Sequence, residues 1–162
     1  MIIRKTTRDD LDTVLGIYEE GRKYMRAHGN TEQWKDGYPH RGTVLDDIEK
    51  EVSFVVTDEN EEIIAVFAFI EGPDITYNRI YEGHWPNDKP YFVIHRIAVS
   101  RHRRGVASFI YEECLKKHPV LRIDTHKDNI PMQNSLKKNG FGYCGIIHLL
   151  SGDERLAFQK ER

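Results

Sequence analysis

Residues 95 to 110 read HRIAVSRHRRGVASFI, and this stretch decides the fold that we expect. A strand-like apolar segment ends at Val99, a short basic turn follows, and an amphipathic helix begins near Gly105. A helix N-terminus offers unpaired amide donors and the positive end of the helix dipole. Glycine lets a ligand approach the backbone closely, while Arg103 and Arg104 add positive charge. The stretch therefore predicts a binding site for an anion such as a pyrophosphate.

The segments on either side predict a mixed α/β fold with the order β-α-α-β-β-β-α-β-α-β-β. Alternating or continuous apolar runs mark the strands, and apolar residues at helical spacing mark the helices. The predicted strands are residues 2–5, 53–57, 63–70, 91–99, 120–125, 141–150 and 155–159, with a further strand near 75–80. The predicted helices are residues 7–26, 43–52, 104–118 and 130–139, with Thr7 and Thr43 as N-caps and Gly140 as a left-handed C-terminal cap.

Bulk composition predicts one domain spanning residues 1–162, because a chain of 162 residues suits a single core. The formal net charge of −2 provides no general attraction to nucleic acid or to a membrane. No apolar run approaches the roughly 20 residues that cross a bilayer. The two cysteines, Cys114 and Cys144, lack CxxC spacing, and the N-terminus lacks an apolar signal core. We therefore expect a reduced, cytoplasmic protein.

The basic turn resembles a motif of the GNAT superfamily of acetyl-CoA-dependent N-acetyltransferases. His102-Arg103-Arg104-Gly105-Val106-Ala107 is similar to the family's Gln/Arg-x-x-Gly-x-Gly/Ala, which binds the pyrophosphate of CoA, with His102 in place of Gln or Arg. The resemblance implies a central, mostly antiparallel sheet, splayed between its fourth and fifth strands, with helices on both faces. It also implies acetyl-CoA as co-substrate, bound by Ile97, Ala98, Val99, His102, Arg103, Arg104, Gly105, Val106, Ala107, Ser108, Asn129 and Asn134.

A second motif lies at the expected separation from the first. Residues Asn129 to Phe141 resemble the family's NxxAxxxYxxxGF, in which the asparagine contacts the pantetheine arm. Leu136 stands where many members have the tyrosine that protonates the departing CoA thiolate. Tyr143 on the next strand, or a water molecule, could take that role. The missing tyrosine also leaves open a second function, a non-catalytic sensor that binds acyl-CoA.

Acetylation of an amine needs a group that removes a proton, because an alkylammonium with a pKa of about 10.4 is not a nucleophile at neutral pH. His95 is the first candidate, since it lies in an apolar strand in phase with Val93, Ile97 and Val99 and matches a histidine of some amine-acetylating members. The alternative for His95 is a hydrogen-bonded core histidine. His126, after the fifth strand, is the second candidate for the base.

Two aromatic loops, QWKDGYP at 33–39 and YEGHWPNDKPY at 81–91, predict the acceptor site. Aromatic side chains in loops often form a pocket wall. The predicted acceptor-binding residues are Gln33, Trp34, Tyr38, Glu71, Trp85 and Tyr91, with His84 and Asp74 as further candidates. The alternative is that Trp34 and Trp85 close the edge of the core. We expect a small-molecule or peptide amine as the acceptor.

Other functions are less well supported by the residues. Arg101 to Arg104 could contact RNA or DNA, but a basic face studded with aromatic residues is missing. The histidines that could form a metal site lack ligand spacing on any one element, so we expect no metal; they are His84, His95, His126 and His148. The oligomeric state stays open, although many GNAT proteins form homodimers.

Overall fold

The structure is a computed structural model, and it describes residues 1–100 and 103–162. The strands are β1 (Ile2–Lys5), β2 (Ser53–Thr57), β3 (Ile63–Glu71), β4 (Phe92–Val99), β5 (Val120–Thr125), β6 (Gly142–His148) and β7 (Glu154–Glu161). The helices are α1 (Leu11–Ala27), α2 (Arg41–Glu49), α3 (Val106–Lys117) and α4 (Ile130–Lys138). The order of strands and α-helices is the predicted one.

The strands form a mixed sheet in the order β1-β2-β3-β4-β5-β7-β6. β1 with β2, β2 with β3, β5 with β7 and β6 with β7 pair antiparallel. β4 and β5 pair in parallel, joining Phe92 to Leu121 and Val93 to Arg122. Both of these pairs lie at the N-terminal end of β4. The prediction of a mixed, mostly antiparallel α/β sheet is confirmed.

The chain divides into two compact units, each with its own apolar cluster. The first unit comprises Met1–Phe69 and His95–Ala107, and the second comprises Ile70–Ile94 and Ser108–Arg162. The core of the first unit contains Leu11, Val14, Ile17, Tyr18, Val44, Val55, Val66 and Ala98. The core of the second unit contains Tyr77, Tyr91, Val93, Val120, Ile147 and Ala157. No helix in the described ranges is long and apolar enough to cross a membrane.

Local sequence explains where the helices begin and end. Thr7 and Asp10 form a reciprocal capping box around a short 3₁₀ turn, and α1 starts directly after it at Leu11. Asn129 caps α4 through its side-chain oxygen, and Pro131 occupies the first turn, where a missing amide costs nothing. Gly140 follows α4 with a φ of +82°, which confirms the predicted left-handed cap.

Three predictions about local structure are wrong. The segment near 75–80 contains a 3₁₀ turn at Ile75–Tyr77 rather than a strand, because the Asp74 carboxylate accepts the Thr76 amide and caps the turn. α2 begins at Arg41, with His40 rather than Thr43 in the N-cap position. α3 begins at Val106 rather than Arg104, since Gly105 has a φ of +75° and cannot belong to a right-handed helix.

Candidate functional site

The turn between β4 and α3 has the form that the sequence predicted for an anion site. Gly105 is exposed, and a Cβ built on it would meet no atom within 4 Å. The backbone of this glycine is therefore open to a ligand, and its positive φ favours glycine. Arg104 is exposed beside it, while Val106 is buried and anchors the first turn of α3. The predicted contact from His102 lies outside the described residues.

Arg103 is held by the turn between β2 and β3. Its Nη2 donates to Oδ2 of Asp58 at 2.8 Å, and Oδ1 of Asp58 accepts the amides of Asn60 and Glu62. Burial of Asp58 disfavours its charged form, but the two amide bonds and Arg103 hold the pKa of this carboxyl below its usual value. Arg103, two residues before Gly105, is thus fixed, and its contact with a phosphate stays a prediction.

The residues predicted to run along the thioester arm lie at the end of β4. Ala98 is buried in the core of the first unit, whereas Ile97 and Val99 are half-buried. The next residue, Ser100, donates its amide to the carbonyl of Ile64 in β3 at 2.8 Å. The side chain of Ala98 faces Gly21 of α1, where a built Cβ would lie 3.6 Å from the Ala98 Cβ, an ordinary van der Waals distance.

Arg96 interrupts β4 with a left-handed backbone, at a φ of +49°. The alternation of side chains in a strand requires extended residues, so the predicted phase of His95 with Ile97 and Val99 does not carry across this residue. His95 is half-buried rather than part of the closed core. The role of His95 as the base stays a prediction.

A polar network around Arg96 in the first unit was not predicted. Arg96 forms a bidentate ion pair with Asp47, Nε to Oδ2 at 2.8 Å and Nη2 to Oδ1 at 2.8 Å. Its Nη1 donates to the hydroxyl of Tyr38 at 3.1 Å, and Tyr18 donates its own hydroxyl to the Arg96 carbonyl at 2.8 Å. Although burial opposes the charged form, Asp47 and Tyr38 raise the pKa of Arg96 above its usual value. The positive charge at residue 96 is therefore permanent.

The first aromatic loop is fastened to α1 through its own backbone. Arg26 donates to the carbonyls of Asn30, Gln33 and Trp34 at 2.8–3.0 Å. The Gln33 side chain is buried and accepts from Asn30, and Trp34 packs against the core. These contacts give both side chains a structural role. Tyr38 is half-buried, and its hydroxyl accepts a hydrogen bond from Arg96. Among the predicted acceptor residues of this loop, Tyr38 is therefore in direct polar contact with β4.

In the second aromatic loop, Trp85 and Tyr91 enclose a buried arginine. The guanidinium carbon of Arg122 lies 4.0 Å from the centroid of each ring. Arg122 also donates to Oε1 of Gln159 at 2.8 Å and to the carbonyl of Asn87 at 2.9 Å. Burial lowers the pKa of Arg122. The ring faces that the sequence assigned to an acceptor are thus in contact with the protein's own cation, which favours the core-closing alternative for Trp85.

One phenol and one carboxylate of the second unit meet near the end of β5. The buried Tyr77 donates to Oδ2 of Asp124 at 2.6 Å, and burial with the neighbouring carboxylates raises the pKa of Tyr77 well above its usual value. Sequence reasoning did not select Tyr77. Glu71 is exposed, and Tyr143 in β6 is 53% exposed, with its pKa raised chiefly by partial burial.

The segment after β5 is a turn organised by His126. Nδ1 of this buried histidine accepts the amide of Asp128 at 3.0 Å, so the neutral ring carries its proton on Nε2. Asn129 accepts the amide of Met132 at 3.1 Å. A nitrogen that already accepts a hydrogen bond is a poorer proton acceptor, which weakens His126 as a base. Asn134 is exposed on α4.

Leu136, which stands in place of the family's tyrosine, is a core residue with 0% exposure. Tyr111, also fully buried, directs its hydroxyl toward the sulfur of Met132 at 3.8 Å. Neither residue offers an exposed hydroxyl. Within residues 1–100 and 103–162, no group of three or more His, Cys, Asp or Glu side chains could hold a metal ion.

Several acetyltransferases are among the solved structures that resemble this chain. No family model matches the sequence, and no curated protein matches it significantly. A GNAT-family acetyltransferase from Streptococcus agalactiae has 34% identity and a TM-score of 0.89, covering 99% of this chain and 95% of that chain. A Staphylococcus aureus protein assigned as an acetyltransferase has 25% identity and a TM-score of 0.72, covering 99% of both chains. A GNAT-family acetyltransferase from Listeria monocytogenes, with 19% identity, a TM-score of 0.72 and coverage of 99% and 94%, supports the fold.

Proposed function

Because the chain belongs to the GNAT family of acetyltransferases, we propose that it moves an acetyl group from acetyl-CoA directly to a primary amine. The acceptor class is a small-molecule amine or the N-terminus of a peptide or protein. The observation that carries the proposal is the turn at Arg103–Ala107, which combines an exposed left-handed glycine, two arginines and the start of a helix of 12 residues. Acetyl-CoA supplies the acetyl group as a thioester.

The turn suits a diphosphate for electrostatic and steric reasons. Amide donors at the start of α3 and the exposed Arg104 would bind the diphosphate, with Gly105 giving access to the backbone. The charge of Arg103 is shared with Asp58, so we assign Arg103 chiefly to holding the turn in place. Backbone groups of Ile97 to Val99 would hold the thioester arm and polarise its carbonyl.

We assign the removal of the proton from the amine to His95. A half-buried imidazole can take a proton directly or through a water molecule. His126 is a weaker assignment because its Nδ1 already accepts the Asp128 amide. We assign proton delivery to the departing sulfur to Tyr143 or to water. With a thiol pKa of about 8.5, the thiolate needs little help from an acid.

Gly105→Glu is the sharpest test of the turn. The carboxylate would repel a phosphate and its side chain would cover the open backbone, so we expect acetyl-CoA binding to be lost in isothermal titration. Gly152→Glu is a matched control, because Gly152 is also exposed, has a φ of +91° and has no atom within 4 Å of a built Cβ. Both variants place a non-glycine residue in a left-handed turn, which costs about 1–2 kcal/mol. Equal acetyl-CoA affinity in the two variants would refute the assignment.

One observation favours the second candidate function, a sensor that binds acyl-CoA without turnover. The aliphatic side chain of Leu136 is fully buried and has no proton to donate, so the position of the family's acid carries no proton donor. Release of free thiol from acetyl-CoA, measured against a panel of amines, separates the two functions. Turnover with any amine supports the enzyme. Tight binding of acetyl-CoA with no thiol release on the whole panel supports the sensor.

A further inference from the structure

Arg96 has a backbone conformation that its residue type does not favour. A φ of +49° places it in the left-handed region, inside a strand whose other residues are extended. Residues other than glycine are uncommon there and persist where the surrounding structure determines the conformation. Such residues often lie at functional positions. Arg96 directly precedes Ile97–Val99, the segment to which the proposed function assigns the thioester arm.

Three side chains from separate elements hold Arg96 from both ends. Asp47 of α2 binds the guanidinium through two hydrogen bonds of 2.8 Å, and the hydroxyl of Tyr38 accepts a third at 3.1 Å. At the backbone, Tyr18 of α1 donates to the Arg96 carbonyl at 2.8 Å. The Arg96 and Asp47 side chains are only 14% and 8% exposed. The side chain and the peptide group of one residue are thus fixed together.

We propose that Arg96 is a positioning residue, which Asp47, Tyr38 and Tyr18 lock in the left-handed conformation so that the following backbone is aimed at the thioester. This proposal rests on the proposed acetyl transfer. A kink of one residue sets the direction of every amide and carbonyl that follows it in the strand. The hydroxyl of Tyr38 also ties the first aromatic loop to the same guanidinium, so this loop and the strand end are held in one arrangement.

The nature of the network supports positioning over simple stabilisation. A buried ion pair pays a desolvation penalty that often matches its Coulombic gain, so a pair of apolar residues could hold the same elements together as well. An apolar pair would not fix the peptide plane of residue 96. The bidentate bond to Asp47 and the hydroxyl bond to the carbonyl are directional, and directional bonds specify one conformation.

Tyr18→Phe tests the proposal with the smallest change, because it removes one hydroxyl and keeps the buried ring. Tyr111→Phe is the matched control, since Tyr111 is equally buried and its hydroxyl points to the sulfur of Met132 in α4. We expect Tyr18→Phe to lower kcat about tenfold while the affinity for acetyl-CoA stays within a factor of about three, because the lost bond acts on the aim of the backbone. Tyr111→Phe should keep its kcat.

A second pair of variants separates backbone conformation from side-chain charge. Glycine adopts a left-handed φ without strain, whereas alanine does not, and both lack the guanidinium. We expect Arg96→Gly to retain about ten times the kcat of Arg96→Ala at matched fractions of folded protein. This comparison also decides the matter if Tyr18→Phe does not fold.

The outcomes distinguish this proposal from the function on which it rests. A wild-type protein that acetylates no amine of the panel refutes the proposed function. A wild-type protein that turns over, together with an unchanged kcat in Tyr18→Phe and equal kcat in Arg96→Gly and Arg96→Ala, overturns the positioning role alone. A loss of kcat that follows the fall in melting temperature equally in all variants, including Tyr111→Phe, also overturns it.

Discussion

Replacing Trp85 with phenylalanine decides between the two roles that the sequence left open for this side chain. In the structure its indole nitrogen donates to the carbonyl of Tyr77 at 2.9 Å. The ring covers one face of the Arg122 guanidinium at 4.0 Å and packs against the Tyr77 ring at 5.3 Å. These contacts join the loop before β4 to the β5 arginine. If the role of Trp85 is to make these contacts, replacing Trp85 affects the stability of the protein and not the binding of the acceptor.

The expected loss can be built from the individual contacts of Trp85. Removal of the indole N–H leaves the Tyr77 carbonyl without that donor, which costs about 1 kcal/mol net. Phenylalanine keeps a ring beside Arg122, but tryptophan is the stronger cation–π partner, so a further ~0.5 kcal/mol is lost. The smaller ring also buries less apolar surface, for about another 0.5 kcal/mol. The sum, about 2 kcal/mol, corresponds to a fall of roughly 4–8 °C in melting temperature for a chain of this size.

Urea and thermal unfolding of Trp85→Phe measure the stability change, and amine acetylation measures KM for the acceptor. We expect the stability loss above with an acceptor KM within twofold of wild type. The same replacement in an Arg122→Met background should cost less, because the cation that the ring covers is gone. An unchanged melting temperature together with a tenfold higher acceptor KM would show that Trp85 lines the acceptor pocket.

Three further predictions test single residues. Asp58→Asn should lower the urea midpoint at pH 7, and the difference from wild type should disappear in acid. The reason is that the lowered pKa of Asp58 in the folded state stabilises the protein above the usual pKa of about 4, and this stabilisation is lost as the pH falls through the folded-state pKa. A difference in urea midpoint that does not depend on pH would contradict this prediction. Tyr143→Phe should reduce kcat about tenfold while stability changes by less than ~0.5 kcal/mol, since the side chain is mostly exposed; unchanged kcat would assign the proton to water. Gly140→Ala should destabilise by about 1–2 kcal/mol through its φ of +82°, as measured by urea unfolding, and an unchanged midpoint would refute the left-handed cap.

The elements could be predicted where local chemistry and tertiary packing agree. The bounds of β1, β2 and β5 are the predicted ones, because each is a short β-branched or apolar run between polar turn residues. The family motifs likewise identified the turn at Gly105 and the cap at Gly140, where backbone geometry selects glycine. At Ile75–Tyr77 the same reasoning gave a strand, since it weighed apolar character and not the side-chain cap from Asp74.

The polar network of the site could not be read from the sequence. Asp47 and Arg96 are 49 residues apart, and nothing in their local patterns marks them as partners. The left-handed φ of Arg96 depends on those distant contacts and leaves no trace in the sequence pattern. Periodicity therefore placed His95 in phase with Ile97 and Val99, although Arg96 interrupts the strand between them. The sequence carried one signal, since Arg96 is a charged residue in a strand that is apolar except for His95, and such a residue requires a buried partner.

The two aromatic loops show how aromatic residues that line a pocket differ from aromatic residues that close the edge of the core. Aromatic side chains in a loop fit either role, because both need a large apolar surface next to polar groups. In each unit the distinguishing partner is an arginine on a neighbouring element: Arg26 binds the backbone of the loop that carries Trp34, and Arg122 is stacked on Trp85. A guanidinium can be buried on ring faces and carbonyls without a carboxylate, because it is planar, weakly hydrated and rich in donors. When a neighbouring helix or strand carries an arginine that points into the protein, the aromatic residues of a loop are therefore better interpreted first as structural. Tyr38 differs from Trp34 and Trp85 in that its hydroxyl contacts Arg96, the proposed positioning residue, so it is the aromatic residue of these loops to examine first for an effect on catalysis.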